Sequence, residues 1–233
     1  MAHTVDVILI RHAQSQWNAE NRFSGWADPP LTDAGRQEAV EAGKLLQKHS
    51  FGFDKVYTSV LQRAGETAHI ILEQMPGQTP PVEACWQLNE RHYGTLQGLN
   101  KAEMADEVGE DLVWRWRRSF KELPPPLDYD DVRHPRFDER YSFIEPKYLP
   151  CSENLEITRN RVLSFWNKRI IPHIKQQDRL LISSHGNTLR ALLMGLTDMS
   201  VEKVESFEIP TGTPILCHFD SEARCLSWEY MEN

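Results

Sequence analysis

Two short apolar runs, each ending on a histidine, constrain this chain more than any other feature. Val5 to Ile10 is rich in β-branched residues and stops at Arg11-His12, and Arg179-Leu180-Leu181-Ile182-Ser183-Ser184 stops in the same way at His185-Gly186-Asn187. Runs of this length and composition read as strands buried on both faces, the habit of a parallel sheet covered by helices. Ligands of open α/β sheets gather at the carboxyl ends of strands, so both imidazoles can face one site.

The segments between these runs alternate in the same sense. Thr32-Asp33-Ala34-Gly35 leads into Ala39, Ala42, Leu45 and Leu46, a helical face behind a Thr or Asp cap that runs to about Lys48. Lys55-Val56-Tyr57-Thr58 predicts a second strand, and Ser59 with Gln62 has the form of a capping box before a helix carrying Leu61, Ile70, Ile71 and Leu72. Leu155, Val162, Trp166, Ile170 and Ile174 recur at helical steps, with Ser152-Glu153 as cap and first-turn acid, and Thr188 to Leu196 continues as a helix after His185. Ile215 to Phe219 and Leu226 to Tyr230, around Asp220-Ser221-Glu222-Ala223, have the spacing of a closing hairpin. Periodicity fails at about 120–150, where Pro124-Pro125-Pro126 and a polar run predict an irregular insertion or lid. The expected fold is α/β: one domain over 1–233, a three-layer α/β/α sandwich on a mostly parallel sheet.

Composition narrows the function classes. At 40% hydrophobic and 26% charged, the 233 residues are those of a globular protein, and no apolar run approaches the roughly 20 residues that span a bilayer. The start has no secretory pattern, so a cytoplasmic protein is expected. Cys85, Cys151, Cys217 and Cys225 are scattered and form no C-x-x-C pair, which points to buried thiols rather than a zinc site or disulfide framework. A net charge of −8 argues against a broad nucleic-acid or anionic-membrane surface, so an anionic ligand requires a local cationic pocket.

A neutral imidazole is a competent nucleophile toward phosphorus, and neighbouring guanidinium groups depress its pKa and hold phosphoryl oxygens. A strand-end histidine can equally cap a backbone group, Glu90-Arg91 can be a structural ion pair, and Trp17, Phe23 and Trp26 can be plain core. Arg115, Arg117 and Arg118 beside Trp114 and Trp116 can be a solvated helix face or, less in keeping with an acidic chain, a stacking surface for bases. The text around the histidines distinguishes these readings: Leu9-Ile10-Arg11-His12, Asn21-Arg22-Phe23-Ser24-Gly25-Trp26, Thr58-Ser59-Val60 with Arg63, Leu88-Asn89-Glu90-Arg91-His92-Tyr93-Gly94, Gly98-Leu99-Asn100-Lys101, Trp116-Arg117-Arg118, Ser184-His185-Gly186-Asn187, and Pro210-Thr211-Gly212-Thr213-Pro214.

In this order and over nearly the whole chain, these segments resemble the cofactor-dependent phosphoglycerate mutases of the histidine phosphatase superfamily. The resemblance implies that His12 is the phosphorylated nucleophile, that Arg11, Arg63 and His185 grip the phosphoryl group, and that Glu90 is the general acid/base. It implies substrate contacts at Arg91, His92, Tyr93, Lys101, Arg117, Arg118, Gly186 and Asn187, with Asn18, Ser24 and Gly25 as pocket walls. It further implies interconversion of 3-phosphoglycerate and 2-phosphoglycerate through a phosphohistidine and a 2,3-bisphosphoglycerate intermediate, 2,3-bisphosphoglycerate also as phosphoryl primer, no metal, small-molecule phosphoglycerates as the partners, and a dimer or tetramer of identical chains.

Three departures qualify the match. The family reads Arg-His-Gly-Glu where this chain has Arg11-His12-Ala13-Gln14. An alanine at positive φ would add roughly 1 kcal/mol of strain, and Gln14 removes a carboxylate from beside the site. The sequence also stops at Asn233, soon after the last strand, where relatives continue into a tail that helps to close the site. Incomplete closure would favour transfer to water. The alternatives are therefore a histidine-dependent phosphatase, or a bisphosphoglycerate synthase or phosphatase, of the same superfamily, and a phosphate-binding regulatory protein with little turnover.

Overall fold

The computed structural model describes residues 4–77 and 79–231. The chain begins with β1 (Val5–Arg11), the one-turn helix α1 (Gln16–Ala19), α2 (Asp33–Lys48), β2 (Lys55–Thr58), α3 (Gln62–Glu73) and β3 (Val82–Ala84). Short 3-10 turns lead to α4 (Lys101–Val108) and α5 (Glu110–Arg118), and further ones to α6 (Leu155–Phe165), a π-helical stretch at Trp166–Ile170 and α7 (Ile171–Lys175). β4 (Leu180–Ser184), α8 (Gly186–Leu196), α9 (Val201–Ser206), β5 (Pro214–Phe219) and β6 (Cys225–Tyr230) follow.

The strands form one sheet in the order β3-β2-β4-β1-β5-β6. β3, β2, β4 and β1 run parallel, whereas β5 and β6 are the antiparallel hairpin expected at the end. Alternation along β1 supplies both faces. Val5, Val7 and Leu9 join the core formed with α6 and α8, while Ile8 and Ile10 pack toward Ala42, Leu45 and Leu46 of α2 and Ala68 and Ile71 of α3. The sandwich of helices on a mostly parallel sheet is thus the fold expected. β3 was not anticipated, because Val82–Ala84 is too short and too exposed to carry a periodic signal.

Caps correct two local expectations. Thr32 does cap α2, its hydroxyl accepting from the Gly35 N–H at 2.9 Å. α3 instead begins after Leu61 without a side-chain cap, and Ser59 Oγ accepts from the Leu61 N–H at 3.1 Å. α6 is capped by Asn154, which accepts from the Ile157 N–H at 2.9 Å, and not by Ser152. Glu153 cannot act as a first-turn acid because its carboxylate makes a bidentate pair with Arg161 (2.8 and 2.7 Å), both side chains being almost fully buried. Arg161 also donates to the Gln87 and Asn89 carbonyls at 2.7 and 3.1 Å, which ties α6 to the segment entering Glu90.

The excursion at 120–150 is irregular but well packed. Tyr141 and Leu149 bury against Trp26, the Tyr141 hydroxyl accepts from Asn89 Nδ2 at 2.8 Å, and Arg140 pairs with Asp28 at 2.6 Å. Cys85 and Cys217 are the buried thiols expected, whereas Cys151 and Cys225 are only half-buried, so for these two the expectation fails. Among the described residues no helix is long and apolar enough to cross a membrane.

Removing one partner of a buried ion pair leaves the other charge uncompensated. Glu153→Ala should lower unfolding stability by about 3–5 kcal/mol, Asn154→Ala by about 1 kcal/mol, and Ser152→Ala by no more than roughly 0.5 kcal/mol. Urea unfolding of the three variants checks the ranking, and a Ser152 effect equal to that of Asn154 would refute the cap assignment.

Candidate active site

β1 and β4 are neighbours with Arg11 opposite Ser184, and the His12 N–H donates to the Ser184 carbonyl at 2.8 Å. His12 and His185 therefore leave the sheet side by side, their rings edge to face with centroids 4.9 Å apart. Both are buried.

The His12 ring is oriented by its own backbone neighbourhood. Nδ1 lies 2.7 Å from the Ala13 carbonyl, which can only accept, so the proton resides on Nδ1 and the Nε2 lone pair is free to attack an electrophile. Arg63 Nε donates to that Nε2 over a long 3.3 Å, a contact weak enough to yield when an electrophile arrives. Burial, then Arg63 and Arg11, hold the His12 pKa well below the usual histidine range. For His185 the order is burial, Arg63, His12 and Arg11, in the same direction. Ser59 Oγ, already accepting from Leu61, is placed to donate its proton to His185 Nε2 at 2.8 Å. That arrangement places the single ring proton of a neutral His185 on Nδ1, a buried atom without a protein partner.

Arg63 stands in the first turn of α3, fully buried, with Nη1 donating to the Ala27 carbonyl at 2.8 Å and Nη2 to the Gly25 carbonyl at 2.9 Å. Burial lowers its pKa to about 10. Gly25 has φ +53°, a conformation that favours glycine, and a Cβ there would displace the Gln97 amide, whose Oε1 it would meet at 2.1 Å. Arg11 Nη1 donates to the Ile209 carbonyl at 2.7 Å, leaving Arg11 Nε, like Ser24 Oγ, buried without a protein partner. Glu90 accepts from the Arg91 N–H at 2.8 Å and the Asn187 N–H at 3.5 Å, the latter in the first turn of α8.

These groups open onto one cavity. It is lined by His12, Arg11, Arg63, Glu90, Tyr93, Lys101, Arg117, Arg118, Asn18, Ser24, Gly25, Gly186 and Asn187, all anticipated, and by Arg22, Arg190, Glu208 and Ile209, which were not. Asn18 Oδ1 accepts from Ser15 N and Oγ, which leaves its amide N–H groups to donate. Burial, followed by Arg117 and Arg11, lowers the Lys101 pKa to about 8 even with Tyr93 and Glu90 acting against the shift. Arg190 was legible only as one position in an apolar helix. It donates to the Val204 carbonyl at 3.1 Å and to Asn187 Oδ1 at 2.8 Å.

Three anticipated residues do not line the cavity. Arg91 lies behind Tyr93, donating to its hydroxyl at 3.1 Å and to the Arg117 carbonyl. His92 is turned toward Trp26 (centroids 5.7 Å) because Glu153 clamps its backbone, accepting from the His92 N–H at 3.0 Å and donating its own N–H to the His92 carbonyl at 2.8 Å. His185, fully buried, packs edge to face against His12 and is not among the lining residues. Phe23 and Trp26 are buried core, with Trp26 Nε1 donating to the Glu90 carbonyl at 2.6 Å.

The two residues after His12 also differ from expectation. Ala13 is not at positive φ, so the glycine-like strain does not arise; its methyl is buried with Leu31, Ala39 and Ile70. The Gln14 side chain accepts from Thr32 Oγ1 at 2.9 Å and does not line the cavity. Among the described residues, no group of three or more His, Cys, Asp or Glu could hold a metal ion.

A buried strand-end histidine with a fixed Nε2 lone pair, a second imidazole against it and a cationic cavity in front make a site suited to covalent phosphoryl transfer. The family model of the histidine phosphatase superfamily, branch 1, matches residues 7–140 and 128–230, and the chain belongs to that superfamily. Its fold is similar to that of the alpha-ribazole phosphatase from Shigella flexneri (24% identity, TM-score 0.69, 95% of this chain and 94% of that one). It is also similar to a mycobacterial glucosyl-3-phosphoglycerate phosphatase (21%, TM-score 0.67, 98% and 97%) and to the phosphoglycerate mutase from Bacillus anthracis (18%, TM-score 0.70, 100% and 93%).

Two outcomes follow from the histidines. A buried histidine with a depressed pKa stays neutral when folded but takes a proton near pH 6.5 when unfolded, so its stabilisation is complete above that pH and is lost as pH falls toward the folded value. His92 is held to about 3 by burial, then by His134 and Arg161. Unfolding stability should fall from pH 6.5 to 5, and His92→Gln should reduce the slope by about 1.4 kcal/mol per pH unit; an unchanged slope would contradict a neutral His92. Ser59→Ala should slow phosphoryl transfer about tenfold, less than the roughly 10²-fold of His185→Ala, because it removes only the group that orients the donor. Single-turnover kinetics separate the two, and equal losses would assign Ser59 more than an orienting role.

Proposed function

We propose that this enzyme interconverts 3-phosphoglycerate and 2-phosphoglycerate through a phosphohistidine at His12. The observation that carries the reading is the division of the cavity into two cationic parts: Arg11 and Arg63 beside His12 at the strand ends, and Lys101, Arg117 and Arg118 on α4 and α5. A simple phosphate monoester uses only the first. A phosphorylated carboxylic acid uses both, its phosphoryl group at His12 and its carboxylate toward α4 and α5.

In one half-reaction His12 Nε2 forms a bond to phosphorus as one of the two ester P–O bonds of a doubly phosphorylated acid breaks, which leaves the monophosphorylated product. Glu90 supplies the proton that the departing oxygen takes up. As Nε2 gives up its lone pair, Arg63 Nε is released to donate to a phosphoryl oxygen, joined by Arg11 Nε and His185 Nδ1. Charge spread over the three oxygens is then met by donors already in position. In the other half-reaction the phosphoryl group passes from His12 to the free hydroxyl of a monophosphorylated acid as the Nε2–P bond breaks, and Glu90 removes the proton from that hydroxyl. The buried, unpartnered Arg11 Nε, His185 Nδ1 and Ser24 Oγ fit a bisphosphorylated acid, with Arg11, Arg63 and Ser24 to hold it. When bound, 2,3-bisphosphoglycerate supplies the phosphoryl group that primes His12. The guanidinium groups take the part that a divalent cation has in many phosphoryl-transfer sites.

The second reading is hydrolysis, in which water replaces the acceptor hydroxyl. Two of the three similar structures described above are named as phosphatases, and the substrate named for one is itself a phosphoglycerate derivative.

Incubation with 2,3-bisphosphoglycerate should give an acid-labile, alkali-stable phosphate that is absent from His12→Ala. A coupled assay should show 2-phosphoglycerate formation that rises when 2,3-bisphosphoglycerate is added and survives exhaustive EDTA treatment. Release of inorganic phosphate without 2-phosphoglycerate would replace the mutase reading by the phosphatase one. Label persisting in His12→Ala, or a strict Mg²⁺ or Mn²⁺ requirement, would refute the mechanism itself.

A further inference from the structure

The cavity is cationic except for two carboxylates, Glu90 and Glu208. Glu90 rests on backbone N–H groups, whereas Glu208 is paired with Arg118. Glu208 belongs to the strap that joins α9 to β5, whose main chain is held from several sides. Arg11 donates to the Ile209 carbonyl at 2.7 Å, Arg118 to that of Phe207 at 3.5 Å, and the Tyr230 hydroxyl to that of Glu208 itself at 2.8 Å. With its backbone fixed, Glu208 has only its side chain to move. That side chain is 63% exposed, while the Arg118 side chain it meets is 15% exposed. The carboxylate therefore sits at the rim, and the guanidinium belongs to the cavity.

We infer that Glu208 is a specificity-determining residue: a built-in counter-ion on Arg118 that the distal anionic group of a ligand must displace. The inference rests on the proposed function only in bringing such a group to Arg118. The physical reason is competition. Seven cationic side chains line the cavity, and a doubly anionic ligand would be held there so firmly that its release, or its turning between two phosphorylated positions, would be slow. A rim carboxylate that swings between Arg118 and water weakens the distal attraction without touching the groups around His12. It can leave readily because a carboxylate that remains largely in water gives up little on losing its partner, and charges at a rim act mainly on association and its salt dependence.

The test uses a matched pair of ligands, 3-phosphoglycerate and glycerol 3-phosphate, which differ by a distal carboxylate against a distal alcohol. Their dissociation constants are measured calorimetrically at low and at high ionic strength, in the wild type, Glu208→Gln, Arg118→Gln and the double variant. Glutamine keeps the size and hydrogen bonding of Glu208 and removes its charge. At low salt Glu208→Gln should raise the preference for 3-phosphoglycerate over glycerol 3-phosphate about three- to fivefold. The gain should shrink in 0.5 M salt and vanish where Arg118 is already glutamine. An unchanged preference at low salt, or a full gain in the Arg118→Gln background, would overturn the inference. A shifted preference in a protein that does not interconvert phosphoglycerates would support Glu208 and overturn the mutase reading; interconversion with an unchanged preference would do the reverse. If the wild type bound neither compound, both would fall.

Discussion

The site depends on the in-register parallel pairing of β1 with β4. Both strands are buried on both faces, so alternation of apolar and polar residues does not by itself fix their register, as it does in a half-exposed sheet. Their polar ends do. With Arg11 opposite Ser184, the ladder runs one residue further to the bond from the His12 N–H to the Ser184 carbonyl, and the two imidazoles emerge at the same level. A slip of one residue would draw Arg11 into the apolar layer of Ile10 and separate His12 from His185. Each further group is delivered to that point by a connection that follows a strand. Arg63 comes from α3 after β2, and the N-terminus of α8, which holds Glu90, comes directly after β4.

Concentrating cations in a chain of net charge −8 demands a particular kind of support. Carboxylates would neutralise the guanidinium groups and leave nothing for an anionic ligand. For the most deeply buried of them uncharged carbonyls are the nearest support, Ala27 and Gly25 for Arg63, Ile209 for Arg11 and Val204 for Arg190, whereas Arg22 and Arg118 pair with Glu20 and Glu208. The cost shows in depressed pKa values, with burial taking Arg63 to about 10 and Arg190 to about 9. Those groups remain charged at neutral pH, while burial first, and Arg63 and Arg11 after it, hold the pKa values of His12 and His185 well below the usual histidine range. One electrostatic arrangement thus preserves both the unprotonated imidazole and the positive field that a phosphoryl group needs.

What the sequence made legible follows from how local each signal is. β1, β2 and β4 could be read to within a residue because a buried strand is an uninterrupted apolar run with a polar end, and Thr32 could be read as a cap because the cap lies three residues from its target. Asn154 was missed in favour of Ser152-Glu153, since the pairing of Glu153 with Arg161 is a tertiary event that removes the carboxylate from competition. Arg91 and His92 were carried into the cavity with their neighbours Glu90 and Tyr93, but the clamp from Glu153 on the His92 backbone turns that stretch inward. Arg22, Arg190 and Glu208 reach the cavity from separate elements, and no spacing within one element could have marked them. Arg22 alone lay in a quoted segment and could have been included on that ground.

The departures beside His12 act differently from what their position suggests. The function that position 13 must serve is carried by its carbonyl, which accepts from His12 Nδ1 and fixes the tautomer, and any residue without positive φ can supply that carbonyl. Alanine adds a methyl that faces Leu31, Ala39 and Ile70, on the side of α2 and away from the cavity. Gln14 faces the same way, its amide oxygen on Thr32 and its backbone N–H on Glu38 Oε2 at 2.9 Å. Both side chains therefore face β1's contact with α2, and neither lines the cavity. Closure of such a site against water would rest on residues that do line the cavity, those of α4, α5 and the strap carrying Glu208 among them.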